Sequence, residues 1–200
     1  MHTFSIGEAL EFGWHKTREH SALLFKIVLT IFALQIANAV AGKLLFSTVL
    51  GALVALVLGI AGLIIEAGFT LIALRLAKGS TAHYRELIPQ GKLLWRYFLA
   101  SLLSGFVTAA GFILLILPGM YLAVRFSMVR FAVMEGAGVM ESLRRSWHTT
   151  QGNFWRLLGF LLVLVGVNIV GAVLLYVGLL VSVPISILAW AHVYLKLKKA

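Results

Sequence analysis

The chain has 200 residues, of which 61% are hydrophobic and 12% charged, so its apolar content exceeds the roughly 45–50% usual in soluble domains. A water-soluble fold of this length could not bury that much apolar surface, whereas a lipid bilayer removes the need to bury it. The net charge of +10 does not indicate nucleic-acid binding, because the basic residues flank apolar runs along the whole chain and leave no basic helix free to enter a groove.

The first predicted element is a short amphipathic helix ahead of the first apolar run. Its apolar face consists of Ile6, Ala9, Leu10, Gly13, Trp14 and Thr17. Such a helix lies in the membrane interface, with Trp at the level of the lipid headgroups. Acidic residues in the same segment are atypical of a signal peptide, so the first apolar run is expected to remain as a span.

Six apolar runs follow, and the gaps between them alternate between basic and nearly uncharged. The runs cover residues 21–42, 45–76, 96–117, 119–134, 153–176 and 178–195. The turns at 41–44, 117–119 and 176–178 carry Lys43 as their single charge, whereas Lys and Arg fill the other gaps and both termini, including Lys199. By the positive-inside rule, this pattern predicts an all-α, polytopic transmembrane helix bundle of six spans with both termini in the cytoplasm.

The fourth run is the weakest, because it has only 16 residues (119–134) and contains Arg125, where about 20 residues usually span a bilayer. Pro118 and Gly119 favour a sharp turn ahead of it. A re-entrant or interfacial segment is the alternative. It would place Arg144, Arg145 and the C-terminal lysines outside the cell, against the charge rule, so six crossings are predicted.

A second amphipathic segment precedes the fifth run and resembles the first. Five residues of the first segment recur 133 positions later, as Glu8/Glu141, Leu10/Leu143, Trp14/Trp147, His15/His148 and Thr17/Thr150. This pattern predicts an internal repeat, 5–76 and 139–198, around a diverged hairpin at 93–134, all within a single membrane domain of residues 1–200. Four tryptophans next to apolar runs are predicted interfacial anchors: Trp14, Trp95, Trp147 and Trp155.

Glu66 and Arg125 are the charges predicted at membrane depth, where a charge costs about 3 kcal/mol even on lenient scales. Both lie about 14–15 Å from the same end of their spans, so an ion pair between the second and fourth spans is expected. The alternatives are a substrate or proton path through this region, and contact of Arg125 with a lipid headgroup. Asn38 and Asn168 are the further polar candidates, with interhelical hydrogen bonding as their expected role.

Small residues recur at every fourth position in three of the spans. The rows are Ala33, Ala37 and Ala41; Gly51, Ala55 and Gly59; and Ser101, Gly105 and Ala109. Close helix contact within the bundle is the preferred interpretation of these rows, and a homo-oligomer face is the alternative.

Enzyme motifs are missing from the sequence. It contains no Gly-rich phosphate loop, HExxH, GxSxG or CxxC, and it has no Cys at all. The histidines near the basic gaps show no recognised ligand spacing. We therefore expect no catalytic residue, no cofactor and no metal.

Three stretches of the chain carry a family resemblance. They are residues 5–14 (SIGEALEFGW), residues 117–126 (LPGMYLAVRF) and residues 141–155, which contain ESLRRSW and QGNFW. In these stretches the chain resembles uncharacterised bacterial integral membrane proteins similar to the membrane domain of some glycerophosphodiester phosphodiesterases. The resemblance implies a six-helix bundle in the bacterial cytoplasmic membrane. It carries over no catalytic residue, because the phosphodiesterase activity belongs to a separate soluble barrel.

Two functions remain open at this stage. The first is a non-enzymatic membrane module that organises lipid or a partner. Its expected partners are the bilayer and anionic phospholipid headgroups, with a protein partner or a homo-oligomer as further options. The second is a small transporter or channel subunit that uses the Glu66 and Arg125 region.

Overall fold

The computed structural model describes residues 4–44, 48–174 and 178–198, which form helices, turns and loops without a strand. The α-helices are α1 (Ile6–Glu19), α2 (Ser21–Leu44), α3 (Val49–Ala77), α4 (Gly91–Leu114), α5 (Ile116–Phe126), α6 (Val129–Met134), α7 (Val139–Thr149), α8 (Phe154–Val173) and α9 (Leu179–Lys198). A single 3-10 turn, Tyr84–Leu87, lies between α3 and α4 within these ranges.

Six helical segments among the described residues are long and apolar enough to cross a membrane. They are α2, α3, α4, the α5–α6 segment Ile116–Met134, α8 and α9. The predicted all-α bundle of six spans is therefore confirmed, and the chain is a multi-pass membrane protein. The predicted turn residues Tyr176 and Val177, and the terminal Lys199, lie outside the described residues.

The fourth span differs from its predicted bounds. The turn before it lies at Leu115, whose backbone is extended (φ −164°, ψ 152°), and not at residues 117–119. Pro118 instead occupies the first turn of α5, where the amide hydrogen that it lacks would have no intrahelical acceptor. The span consequently begins at Ile116 and reaches 19 residues, close to the length that a crossing requires.

The fourth span is also broken between α5 and α6. Ser146 of α7 inserts its hydroxyl into the helical ladder: Ser146 Oγ donates to the Arg125 carbonyl at 2.6 Å and accepts from the Met128 amide at 3.2 Å. A side chain that takes over ladder hydrogen bonds is a recognised cause of a helix break. The break in the helix thus results from the packing of α7 against the fourth span.

The two amphipathic helices bury a narrower face than predicted. In α1 the buried residues are Ala9, Gly13 and Thr17, while Trp14 is exposed. A Cβ at Gly13 would lie 2.5 Å from the Ile185 carbonyl oxygen, so a glycine lets α1 contact the α9 backbone directly. In α7 the equivalent positions, Ser142, Ser146 and Thr150, are buried as well. Small residues thus supply most of the buried face of both helices, and Leu143 of α7 is buried beside them.

The spans form three hairpins, α2–α3, α4–α5/α6 and α8–α9. Their second helices lie at the centre, where α3 contacts both α6 and α9. Each of these central helices is covered by a shorter segment: the 3-10 turn Tyr84–Leu87 packs on α3, α7 packs on α6, and α1 packs on α9. The predicted internal repeat is not tested by these contacts and stays a prediction.

The bundle is packed tightly at one end, which we call the charged end, where α3, α6 and α9 finish and Lys78, Glu135 and Lys198 meet. The buried residues of α3 run only from Ala67 to Leu76. Its first half exposes large apolar side chains, among them Val57 and Ile60, as expected of a surface that faces lipid. The helices therefore separate with distance from the charged end, and a cavity opens between them.

Candidate functional site

A cavity of about 1060 Å³ lies between the spans and is lined by residues from all six of them. Its volume is just above the roughly 300–1000 Å³ that is usual for small-molecule sites. On α3 the lining runs from Gly59 to Thr70, and on α4 from Ser101 to Phe112, so the cavity lies within the membrane-spanning part of both helices. Gly59 and Gly105 are exposed, which shows that the cavity is not sealed.

Glu66 and Arg130 form an ion pair on the cavity wall, between α3 and α6. Their side chains are 41% and 51% exposed, so both can be reached from the cavity. The predicted pair between Glu66 and Arg125 is therefore wrong. Arg130, which also lies within the span Ile116–Met134, supplies the partner of Glu66 instead.

Arg125 is buried and points toward α7. Its guanidinium donates hydrogen bonds to the Tyr121 hydroxyl at 2.7 Å, to the Trp147 carbonyl at 3.3 Å and to the Thr150 hydroxyl at 3.5 Å. The same group lies 4.9 Å from the centres of the Tyr121 and Trp147 rings, a cation–π geometry. Arg125 thus joins the fourth span to α7 and does not line the cavity.

Hydroxyl groups line the cavity close to the ion pair. Thr70 donates to the Glu66 carbonyl at 2.9 Å, Ser127 to the Val124 carbonyl at 2.8 Å, and Ser104 to the Ser101 carbonyl at 3.2 Å. Each hydroxyl satisfies its hydrogen within its own helix. The oxygen lone pairs of the half-buried Ser104 and Ser127 remain able to accept hydrogen bonds from a ligand, whereas Thr70 is buried.

The two asparagine candidates occupy different environments. Asn168 holds α8 against α9, because its side-chain amide donates to the Ser186 hydroxyl at 2.8 Å and accepts from the Ser182 hydroxyl at 3.0 Å. This is the interhelical role expected for it. Asn38 is exposed on α2 and does not line the cavity.

Two glycines of the predicted small-residue rows do not form close helix contacts. A Cβ at Gly59 or at Gly105 meets nothing within 4 Å, so these glycines border open space. Close approach occurs instead where Gly68 meets the Leu87 backbone. It also occurs at the hairpin pairs Gly111–Gly119 and Gly171–Gly178. Interpreting the rows as bundle contacts was therefore wrong for Gly59 and Gly105.

Glu135 at the charged end is the polar site that the sequence did not single out. Its side chain is 5% exposed and receives Lys78 Nζ at 2.7 Å, Lys198 Nζ at 2.5 Å and the Tyr194 hydroxyl at 2.7 Å, with an Arg145 nitrogen at 3.5 Å. Burial by itself would raise the pKa of Glu135, but the hydrogen bonds from Lys198, Lys78 and Tyr194 outweigh it and lower the pKa to about 2. One carboxylate therefore joins the ends of all three central helices. The only sequence signal for it is an acidic residue directly after the fourth apolar run.

The four predicted anchors are exposed: Trp14, Trp95, Trp147 and Trp155. Trp95 lies in the first turns of α4, and Trp155 lies in the first turn of α8. Their role as interfacial anchors stays a prediction. Among the described residues, no group of three His, Asp or Glu side chains could hold a metal ion.

A family model described as a domain of unknown function (DUF7847) matches residues 5–197 of the chain. No curated protein and no solved structure matches the chain.

Proposed function

The chain belongs to the DUF7847 family, and from the geometry of its own cavity we propose that it is a non-enzymatic membrane module that binds a lipid between its spans. One observation carries this proposal. A cavity of about 1060 Å³ at membrane depth combines apolar walls, such as Phe69, Phe112 and Ile187, with the accessible ion pair of Glu66 and Arg130. Apolar walls with a few convergent polar groups are the usual composition of a ligand site, and lipid is the ligand that surrounds this one.

The polar groups of the cavity support binding more than catalysis. Glu66 is held by Arg130, and the nearby hydroxyls of Thr70, Ser104 and Ser127 donate to carbonyls of their own helices. A hydrolase would need a nucleophile hydrogen-bonded to a base, with donors placed for the oxyanion. In the structure, each of these hydroxyls donates its hydrogen to a backbone carbonyl and not to a basic side chain.

The proposal includes an orientation and a location. The charged end faces the cytoplasm, so that both termini lie inside, and its basic side chains contact anionic phospholipid headgroups. The location is the bacterial cytoplasmic membrane, as the resemblance to the membrane domain of glycerophosphodiester phosphodiesterases implies. The clustering of Lys78, Arg145 and Lys198 at one end of the bundle supports this orientation.

A cavity-filling variant tests lipid binding. Gly105→Phe places a ring in the cavity without a backbone clash, because a Cβ at Gly105 meets nothing within 4 Å. Gly166→Phe is the matched control: its Cβ also meets nothing within 4 Å, but Gly166 does not line the cavity. Native mass spectrometry of protein purified in mild detergent should show retained lipid in the wild type and the control, and loss of it in Gly105→Phe. Equal lipid retention in all three proteins would contradict the proposal.

Transport through the same cavity is the second candidate. The observation that favours it is the exposure of Glu66 and Arg130 at membrane depth, since charges there commonly line a substrate or proton path. Proteoliposomes with an internal pH-sensitive dye test this candidate. Proton flux that Glu66→Gln abolishes would favour transport, whereas lipid retention without flux would favour the lipid-binding module.

A further inference from the structure

The charge of the cavity restricts the lipid that it can take. Among the described residues that line it, the charged ones are Glu66 and Arg130, one negative and one positive. The formal charges of the lining therefore cancel. Both side chains are about half exposed although they lie at membrane depth, so a ligand can contact each of them.

A headgroup of a single charge fits this pair poorly. An anionic headgroup that binds Arg130 would draw it from Glu66 and leave the carboxylate without its partner in surroundings of low dielectric constant. A cationic headgroup that binds Glu66 would likewise leave Arg130 without its partner. A zwitterionic headgroup supplies a partner to each side chain at once.

On the basis of the lipid-binding function proposed above, we propose that the cavity selects a lipid whose headgroup carries a phosphate and a primary ammonium. The phosphate binds the Arg130 guanidinium, which can donate two parallel hydrogen bonds to it. The ammonium binds the Glu66 carboxylate.

A primary ammonium fits the Glu66 side of the cavity better than a quaternary one does. It has three N–H donors, of which one or two can donate to the exposed Glu66 carboxylate. A quaternary ammonium has no N–H donor, so it can offer the carboxylate only its charge.

The remaining lining identifies the ligand as a lipid and not a free headgroup. It includes apolar side chains such as Phe69, Phe112 and Ile187, which offer contact to acyl chains, beside polar ones such as Gln35 and Asn168. The exposed backbone at Gly59 and Gly105 leaves the wall open toward the surrounding lipid.

Competition between lipids tests the selectivity. Delipidated protein in detergent is offered equal amounts of phosphatidylethanolamine, phosphatidylcholine and phosphatidylglycerol with identical acyl chains, and the bound lipids are counted by native mass spectrometry. The wild type should retain phosphatidylethanolamine about tenfold over each of the others, a difference that corresponds to about 1.4 kcal/mol. Millimolar free phosphoethanolamine should not displace it, and displacement would overturn the assignment to a lipid.

Variants of the ion pair should change the preference in opposite directions. Glu66→Gln leaves Arg130 alone and should favour phosphatidylglycerol, whereas Arg130→Gln leaves Glu66 alone and should reject it. The double variant keeps the lining uncharged and should bind the three lipids equally. Arg144→Gln is the control, because Arg144 is exposed on α7 and lies outside the cavity, and it should behave as the wild type.

The outcomes separate this inference from the function on which it rests. Equal retention of all three lipids by the wild type, together with loss of lipid in Gly105→Phe, would overturn the headgroup selectivity and leave the lipid-binding function standing. Failure of the wild type to retain any of the lipids would overturn both.

Discussion

Glu135→Gln is expected to destabilise the bundle by about 3 kcal/mol, because it removes a buried carboxylate and leaves its cations without a partner. Lys78, Lys198 and Arg145 all approach this carboxylate, which is 5% exposed. The variant amide has no charge, so these cations would repel one another at the point where α3, α6 and α9 end. The loss should weaken the packing between all three hairpins.

The magnitude follows from the pKa of the carboxyl group. Its pKa is lowered from 4.5 to about 2, which at about 1.4 kcal/mol for each pKa unit corresponds to between about 3 and 4 kcal/mol. The side chains of Lys78 and Lys198 are 42% and 41% exposed, so solvent screening reduces the value to about 3 kcal/mol. Because the folded-state pKa is the lower one, this stability is present above about pH 4.5 and is lost as the pH falls toward 2.

Unfolding in detergent, followed by tryptophan fluorescence during an SDS titration, measures the effect. Glu141→Gln is the matched control: Glu141 is 58% exposed and forms a surface pair with Arg145, so its loss should cost less than about 1 kcal/mol. Glu135→Gln should also show a smaller decrease in stability between pH 4.5 and pH 2 than the wild type does. Equal unfolding midpoints for the two variants, or an unchanged acid dependence, would refute this reasoning.

Two further substitutions test the contacts between helices by the same unfolding titration. Gly68→Ala should cost about 2 kcal/mol, because its Cβ would lie 2.0 Å from the Leu87 carbonyl oxygen, whereas Gly59→Ala in the same helix should be neutral or stabilising by up to about 1 kcal/mol. A similar effect of both alanines would contradict the close contact. Asn168→Ala should cost about 1 kcal/mol through the lost hydrogen bonds to α9, and Asn38→Ala should have no measurable effect. The α8–α9 assignment fails if the two asparagine variants unfold alike.

The helical architecture could be predicted from the sequence because its signal repeats along the chain. Apolar runs of about 20 residues and alternating basic gaps both report on the bilayer, and neither depends on which helices touch. The error at the fourth span came from interpreting Pro118 as a helix stop. Proline is equally compatible with the first turn of a helix, and the choice depends on the extended conformation of Leu115.

The ion pair could not be predicted from depth alone. Arg125 and Arg130 are five residues apart, so in a continuous helix they would point about 140° away from each other. Only one of them can then face Glu66. The depth of a residue along the span does not indicate which side of the helix its side chain lies on. In addition, the Ser146 hydroxyl breaks the helix between the two arginines. The direction is therefore set by tertiary packing with α7.

Glu135 was missed for a related reason. In the sequence it is one acidic residue at the end of an apolar run, next to a basic gap. Its significance depends on two other helix ends, at Lys78 and Lys198, which are 57 and 63 residues away in the chain and converge on it. Convergence of this kind follows from the packing of the hairpins, and no local sequence pattern indicates that packing.

The most direct test of a lipid held within the bundle is to map where a bound lipid lies. A phospholipid with a diazirine on its acyl chain is incorporated into the membrane, retained through purification in detergent, activated by light and located by peptide mass spectrometry. Crosslinks should concentrate on the cavity-lining segments of α3 and α4, at residues 59–70 and 101–112. Crosslinks confined to the lipid-facing side of α8, around Val165 and Gly166, would show that lipid coats the bundle without entering it.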